Sequence, residues 1–455
     1  MSDTIAAIAT ALVPSAIGII RLSGPEAIAV LDRVFTPAYG KPMSERPDRL
    51  LVYGALRDAS GAVIDHCLAT VSRAPHSYTG EDTAELQCHG SPAALTLGLE
   101  ALFAAGARQA RAGEFTRRAF LAGKLDLTRT EAVADLIHAE SPAAVRQAAG
   151  QLGGALERTI GDIYDGLTDL MAHFHAVLDY PDEDIEPFEA AEIFAALTEA
   201  GKKLNALAAS YDRGRALVEG IPCAIIGRPN AGKSTLFNAL LGYDRAIVTP
   251  IAGTTRDTVE ERLNLGGILL RLIDTAGLRD TEDQIERLGV ERSRAALKQA
   301  ELVLAVVDGH QKLSAEDEEI LSLALSAPRC VIIRNKTDLP GGQTALPVPD
   351  GTPVVQLSAL TGDGLDELEL AIEGLFPDDT GFRPGTLLTN ARQAEAANRA
   401  RQSVERAAAA LSAGLSPDAV LSDVEEALEA LGELTGRLVR EDVTARIFER
   451  FCVGK

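Results

Sequence analysis

The segment Gly227-Arg-Pro-Asn-Ala-Gly-Lys233-Ser234 has the spacing G-x-x-x-x-G-K-[ST], in which a glycine-rich turn surrounds phosphates with backbone N–H groups. The lysine of such a loop reaches the β- and γ-phosphates and the serine hydroxyl ligates Mg²⁺. Farther on, Asn335-Lys336-Thr337-Asp338 closes a hydrophobic run that begins at Cys330. A carboxylate at Asp338 accepts two hydrogen bonds from the ring N–H and exocyclic amine of guanine, whereas adenine leaves that charge without donors, a costly mismatch. Together the two motifs point to a guanine nucleotide. Two more elements fit the same ligand. Leu269 to Asp274 is strand-like and runs into Asp274-Thr275-Ala276-Gly277, an aspartate suited to hold Mg²⁺ through water followed by a glycine near the γ-phosphate. Pro353 to Leu357 leads into Ser358-Ala359-Leu360, where the N–H of Ala359 is expected to reach the guanine oxygen.

The expected nucleotide contacts are therefore Asn230, Ala231, Gly232, Lys233, Ser234 and Thr235 in the phosphate loop. Thr249, Pro250, Ile251, Ala252, Gly253, Thr254 and Thr255 follow in the next loop, then Asp274 to Gly277, then Asn335, Lys336, Asp338, Ser358, Ala359 and Leu360. Many small GTPases place a glutamine after the D-x-x-G glycine to orient the attacking water. Here that residue is Leu278, whose hydrocarbon cannot do so. The acids nearby are Asp280, Glu282, Asp283 and Glu286, and spacing does not choose among them. No arginine finger is evident. Asn230 and oxygens of the Thr249 to Thr254 loop can instead surround a monovalent cation, which would neutralise the charge that develops on the phosphates.

These motifs need a strand-to-helix frame. Ile221 to Ile226 reads as a buried strand and Ser234 to Leu241 as a helix; Glu301 to Asp308 gives a further strand. Before them, short strands are expected at Ala16 to Arg21, Leu50 to Leu56, Cys67 to Arg73 and Thr83 to Gln87, with a helix from Pro92 to Ala105. The apolar opening from Ile5 to Ile20 contains Pro14, is preceded by Asp3 and lacks a positive n-region, so it reads as a strand and not as a signal sequence. From Leu125 the composition becomes helical: Thr130 to Ile137, Pro142 to Asp179 and Ala190 to Leu217, with an acidic turn from Pro181 to Pro187. Helices return from Asn390 to Ala413, Ser416 to Gly432 and Glu441 to Phe451. The economical organisation is a helical domain interrupted by an inserted nucleotide-binding domain, with boundaries at 1–121, 122–219, 220–376 and 377–455.

Composition narrows the partners. A chain of 455 residues with net charge −22 and a pI near 4.8 is not coated in basic surface, so any RNA contact must be local. One local candidate is Gly106 to Thr130, with Arg108, Arg111, Arg117, Arg118, Lys124 and Arg129; solvated helix charges are the competing explanation. The cysteines at 67, 88, 223, 330 and 452 form no C-x-x-C pair, which suggests neither zinc nor a disulfide framework and fits a reducing compartment. No segment reaches the apolar length of a membrane span, so the expected location is the cytoplasm.

Beyond these readings, the chain resembles the tRNA-modification GTPase MnmE (TrmE) family over essentially its whole length. The resemblance is carried by Asp3-Thr-Ile5, Gly18-Ile-Ile-Arg21-Leu-Ser-Gly24, Ser77-Tyr-Thr-Gly-Glu-Asp82, Gly113-Glu-Phe-Thr116, Arg118 to Leu127, Gly253-Thr-Thr-Arg-Asp257 and the ending Phe451-Cys-Val-Gly-Lys455. The ending separates this family from Era-like and ribosome-assembly relatives. The implied fold is multidomain: an N-terminal α+β module like the folate-binding domain of the glycine-cleavage T-protein, a discontinuous all-α domain and an inserted Ras-like α/β P-loop GTPase domain. The resemblance further implies a homodimer formed through the N-terminal domains. It implies a heterotetramer or larger complex with an FAD-dependent MnmG (GidA)-type partner, and modification of the wobble uridine of certain tRNAs at C5 with an aminomethyl or carboxymethylaminomethyl group. The one-carbon donor would be 5-formyl- or methylene-tetrahydrofolate. By the same resemblance Arg21, Glu85, Lys124 and Lys455 contact the folate; Asn230, Thr249, Ile251 and Thr254 ligate K⁺; Ser234 and Thr255 ligate Mg²⁺; and Glu286 organises the hydrolytic water. Cys88, Val453 and Ser15-Ala16 depart from the family pattern. A regulatory GTP switch without one-carbon chemistry is the alternative class.

Overall fold

The computed structural model describes residues 3–179, 190–243, 261–265, 268–273, 297, 299–340, 346–376, 383–415, 417–437 and 454. They fall into two compact units, one of residues 1–134, 151–200 and 399–455, the other of 135–150 and 201–398.

The first unit contains a seven-stranded sheet built from β1 (Ile5–Ile8), β2 (Ser15–Ser23), β3 (Phe35–Pro37), β4 (Val52–Arg57), β5 (Val63–Ser72), β6 (Thr83–Gly90) and β7 (Arg108–Gln109), in the order β3-β4-β5-β6-β2-β1-β7. Its strands alternate, as a sheet with two unlike faces requires. Ile20, Leu22, Leu56, Ala69, Val71, Ala84 and Leu86 lie in the main core, with residues of the helices Ala27–Val34 and Pro92–Ala104. The opening segment expected as one strand is two antiparallel strands, β1 and β2, with Ala7 opposite Arg21; Pro14 lies between them, as does Thr10, whose hydroxyl accepts from the Ile19 N–H at 3.1 Å. Cys88 and Cys67 are both buried in that core, so Cys88 faces away from Arg21 and Glu85, which occupy alternate positions of the pleat.

Several of the arginines between Gly106 and Thr130 are consumed by the fold. Arg118 pairs with Asp3, Glu81 and Glu114 at 2.8 to 3.1 Å, Arg108 pairs with Asp3 and Glu114, and Arg129 pairs with Asp126 and Glu157. Burial pushes the Glu114 carboxyl up, but hydrogen bonds from Arg108, the Arg111 N–H and Arg118 outweigh it and hold the group at about 2. These three arginines thus hold ion pairs inside the unit.

The expected helix Pro142 to Asp179 is two helices, Pro142–Leu152 and Ala155–Asp179. Gly154 between them has φ +79°, a conformation that glycine alone adopts without strain. The expected helix Ala190 to Leu217 likewise divides at Ser210, into Ala190–Ala209 and Tyr211–Glu219. Here the Ser210 hydroxyl donates to the carbonyl of Leu207 at 2.6 Å and accepts from the N–H of Leu388 at 3.1 Å. The C-terminal helices are Ala391–Ser412 and Pro417–Thr435; the helix expected over Glu441 to Phe451 and the turn at Pro181 to Pro187 lie outside the described residues.

The second unit contains a six-stranded sheet of β8 (Ile221–Gly227), β9 (Glu261–Leu265), β10 (Ile268–Leu272), β11 (Leu302–Asp308), β12 (Arg329–Asn335) and β13 (Val354–Gln356), ordered β13-β12-β11-β8-β10-β9. All pairings are parallel except β9 with β10. The central strands β8 and β11 are buried almost throughout, as parallel strands covered on both faces must be. The edge strand β9 instead buries only Leu263 and Leu265. The segments that enter and leave this region meet: Gln147 accepts from the Gly385 N–H at 2.7 Å and donates to the Leu387 carbonyl at 3.0 Å, and Thr389 donates to Asp135 at 2.9 Å. Among the described residues no helix is long and apolar enough to cross a membrane.

Candidate nucleotide site

The phosphate loop leaves the carboxyl end of β8 and enters the helix Lys233–Tyr243, so its N–H groups and the helix N-terminus face one anion-binding point. Two tight positions shape it. Asn230 has φ +60° and Gly232 φ +101°; a Cβ on Gly232 would lie 2.1 Å from Asn335 Nδ2, so only glycine lets the loop approach that side chain. Lys233 donates to the carbonyls of Gly227 and Arg228 at 2.9 Å each, which aims its ammonium across the loop. Burial lowers its pKa.

The base-recognition segment is braced against this loop. Asn335, 2% exposed, donates from Nδ2 to the Ala231 carbonyl and accepts at Oδ1 from the Ala359 N–H, both at 2.9 Å. The Ala359 N–H, expected at the guanine oxygen, is thus spent in this structure on holding two loops together. Ser358 donates to Asp338 Oδ1 at 2.7 Å, holding the carboxylate expected to read the base. Thr235, Ala359, Leu360 and Leu365 line part of a cavity of about 420 Å³ beside these loops.

Sequence reasoning missed two supports. Asp308, at the end of β11, accepts from Lys336 at 2.7 Å; burial pushes its carboxyl up, but Lys336 and the His310 N–H outweigh this and lower it. Arg228 reaches Asp317 at 3.1 Å, the acid of a capping box with Ser314 that starts the helix Ala315–Leu325. The S-x-x-D spacing at Ser314 was a readable signal for that cap.

The Ser234 hydroxyl begins a helix beside the lysine, a hard oxygen donor of the kind Mg²⁺ takes, and the glycine cradle leaves room for phosphate. Thr249, Pro250, Ile251, Ala252, Gly253, Thr254, Thr255, Asp274, Thr275, Ala276, Gly277 and Glu286 lie outside the described residues. So do Leu278, Asp280, Glu282 and Asp283.

In the first unit, Arg21 donates to Glu85 Oε1 at 2.8 Å across the β2–β6 ladder, where the two are register partners. The Arg21 guanidinium lies 5.9 Å from the rings of both Tyr78 and Phe115. Tyr78, whose phenol burial pushes up, shares a hydrogen bond with Thr116 at 3.0 Å. Lys124 packs its stem on Gly80, where a Cβ would meet Lys124 Cε at 3.4 Å. Lys455 lies outside the described residues, but Gly454 is described and buried.

A mostly parallel sheet with a phosphate loop after a buried strand, and an N-K-x-D segment hydrogen-bonded to that loop, define a P-loop GTPase. The model of the MnmE helical domain matches residues 127–452 and that of the GTP-binding protein TrmE N-terminus matches residues 4–124. The tRNA modification GTPase MnmE of Symbiobacterium thermophilum is 44% identical over 100% of this chain and 99% of its own. That of Roseiflexus castenholzii is 43% identical over the same shares. Among solved structures, a variant of Aquifex aeolicus Era bound to GDP and AlF4− aligns with 40% of this chain and 65% of its own at 30% identity, with a TM-score of 0.26. The chain belongs to the MnmE family of tRNA modification GTPases.

Proposed function

We propose that this GTPase works with an FAD-dependent MnmG-type partner to modify C5 of the wobble uridine in certain tRNAs to an aminomethyl or carboxymethylaminomethyl group, drawing one carbon from 5-formyl- or methylene-tetrahydrofolate. The observation that carries the reading is the coexistence in one chain of a braced guanine site and of the Arg21–Glu85 pair on the sheet face away from the main core. The donor set fits a reduced folate: Glu85 accepts from pterin-ring donors, Arg21 and Lys124 suit carboxylates or a formyl oxygen, and Tyr78 and Phe115 supply ring contact. Lys455 completes the set. We further propose a homodimer formed through the N-terminal module, a cytoplasmic location, and the three-part division into 1–121, the helical segments 122–219 and 377–455, and the inserted 220–376. A regulatory GTP switch for ribosome or other assembly would have no use for the folate residues.

For hydrolysis, Asn230 with oxygens of Thr249, Ile251 and Thr254 would hold K⁺, Ser234 and Thr255 would hold Mg²⁺, and Glu286 would orient the water that Leu278 cannot. Exchanging K⁺ for Na⁺ at equal ionic strength should then slow turnover by roughly 10-fold or more, as loss of a charge-stabilising group does. Equal rates in the two salts would remove the cation from the mechanism. For the whole reading, mass spectrometry of tRNA nucleosides from cells with and without the gene is decisive: the C5-modified wobble uridine should disappear on deletion. Its persistence would leave the GTP switch as the function.

A further inference from the structure

The segment from Asp308 to Asp317 runs from the end of β11 into the helix Ala315–Leu325 and is bonded to both nucleotide motifs. Its first residues hold the base-recognition segment: Asp308 accepts from Lys336 at 2.7 Å, and the Gly309 N–H donates to the Asn335 carbonyl at 2.8 Å. Its far half holds the phosphate loop through one side chain, that of Arg228, which follows the loop's first glycine. Arg228 Nε lies 3.1 Å from Asp317 Oδ1, while Nη2 donates to Gln311 Oε1 at 3.2 Å and Nη1 to Ser314 Oγ at 3.4 Å. The carboxylate is itself anchored. Asp317 Oδ2 accepts from the Ser314 N–H at 2.9 Å and from the Ser314 hydroxyl at 2.8 Å, and its side chain is only 3% exposed. A guanidinium shared among three acceptors on one short segment has one place to sit, which a lysine's single point of charge does not provide. The backbone of Arg228 faces the loop. Its carbonyl accepts from the Lys233 ammonium at 2.9 Å and from the Ala231 N–H at 3.2 Å, so the residue that is tethered also carries the phosphate lysine and the turn.

We propose that Arg228 is a positioning residue for the nucleotide's phosphates: it ties the entering end of the phosphate loop to the segment that also holds the base motif, and so sets where Lys233 meets the phosphates. Its guanidinium is spent on protein acceptors, and its effect on the phosphates passes through its own carbonyl. Asn335 bridges the two motifs directly at Ala231; Arg228 fixes the same loop from its other end.

The test is the ratio of GDP to GMP affinity in the full-length chain, measured by calorimetry, with thermal melting to verify the fold. GMP keeps the base but lacks the β-phosphate that the loop's lysine reaches. Arg228→Gln should therefore lower the GDP-to-GMP ratio about tenfold or more, since displacing a positioned group by an ångström is costly, whereas general loosening of the domain would weaken both ligands alike. Arg228→Lys, the milder change, keeps a charge for Asp317 but loses the fork, and should lower the same ratio about threefold. A further variant separates a lost tether from a stranded charge, because Arg228→Gln also leaves Asp317 buried without its cation. Adding Asp317→Asn removes that charge; the ratio should stay as low as in Arg228→Gln alone. A wild-type ratio in both single variants, an equal loss of GDP and GMP, or recovery of the ratio in the double variant would each overturn the proposal.

Discussion

Asp338→Asn is expected to turn the base preference from guanine to xanthine nucleotides. The aspartate is held by Ser358, which donates to Oδ1 at 2.7 Å, so its carboxylate is already oriented when a base arrives. Guanine offers it two N–H donors. An amide presents one acceptor and one donor group, so it loses one of these charge-assisted bonds and sets an N–H against the exocyclic amine. Hydrogen bonds to charged groups are worth about 1.5–3 kcal/mol each and a buried mismatch costs a similar amount, so guanine affinity should fall by roughly 10³-fold. Xanthine carries a carbonyl in place of that amine and accepts from the new amide. Titration of the wild type and the variant with GDP and XDP reads the switch directly. A variant that still prefers GDP by the wild-type ratio would mean that some other group selects the base.

The parts of this site that could be read from the sequence are those where backbone geometry demands one residue type. The glycines of the phosphate loop, the lysine and serine after them, and the Asn335 to Asp338 segment are fixed by what phosphate and guanine require, and they lie after β8, at the start of the helix that follows it and at the end of β12. The buried strands β8 and β11 were equally legible, because continuous runs of Ile, Val and Leu bounded by polar motifs have few other uses. Edge strand β9 was not: its Arg262 and Asn264 alternate with Leu263 and Leu265 over only five residues, too short a signal to separate from a loop. The helix breaks at Gly154 and Ser210 were missed for a different reason. Alanine- and leucine-rich sequence on both sides favours helix, and a single glycine or serine lowers that preference only slightly. At the Ser210 break the hydroxyl accepts from the Leu388 N–H, a partner remote in sequence. The same holds for Asp308 and for the Arg228–Asp317 pair, whose roles depend on neighbours that no local pattern names.

Asn335 carries the second large effect, because it serves both halves of the nucleotide site at once. Its amide joins the Ala231 carbonyl of the phosphate loop to the Ala359 N–H of the base loop, each at 2.9 Å, in surroundings that leave it 2% exposed. Asn335→Ala removes both bonds and leaves a carbonyl and an N–H without that partner, at about 1–3 kcal/mol apiece. Part of that cost is recovered as the loops relax, but relaxed loops no longer hold phosphate and base at the spacing of one nucleotide. Affinity for guanine nucleotides should therefore drop by roughly 10²-fold or more. Unlike Asp338→Asn, this change offers nothing to xanthine, so GDP and XDP should weaken together and their ratio should stay near the wild-type value. The pair of variants thus distinguishes reading the base from holding the loops. Fluorescent-nucleotide titration, with thermal melting to verify the fold, measures both quantities; wild-type affinity in a folded Asn335→Ala protein would show that the two loops keep their spacing without this side chain.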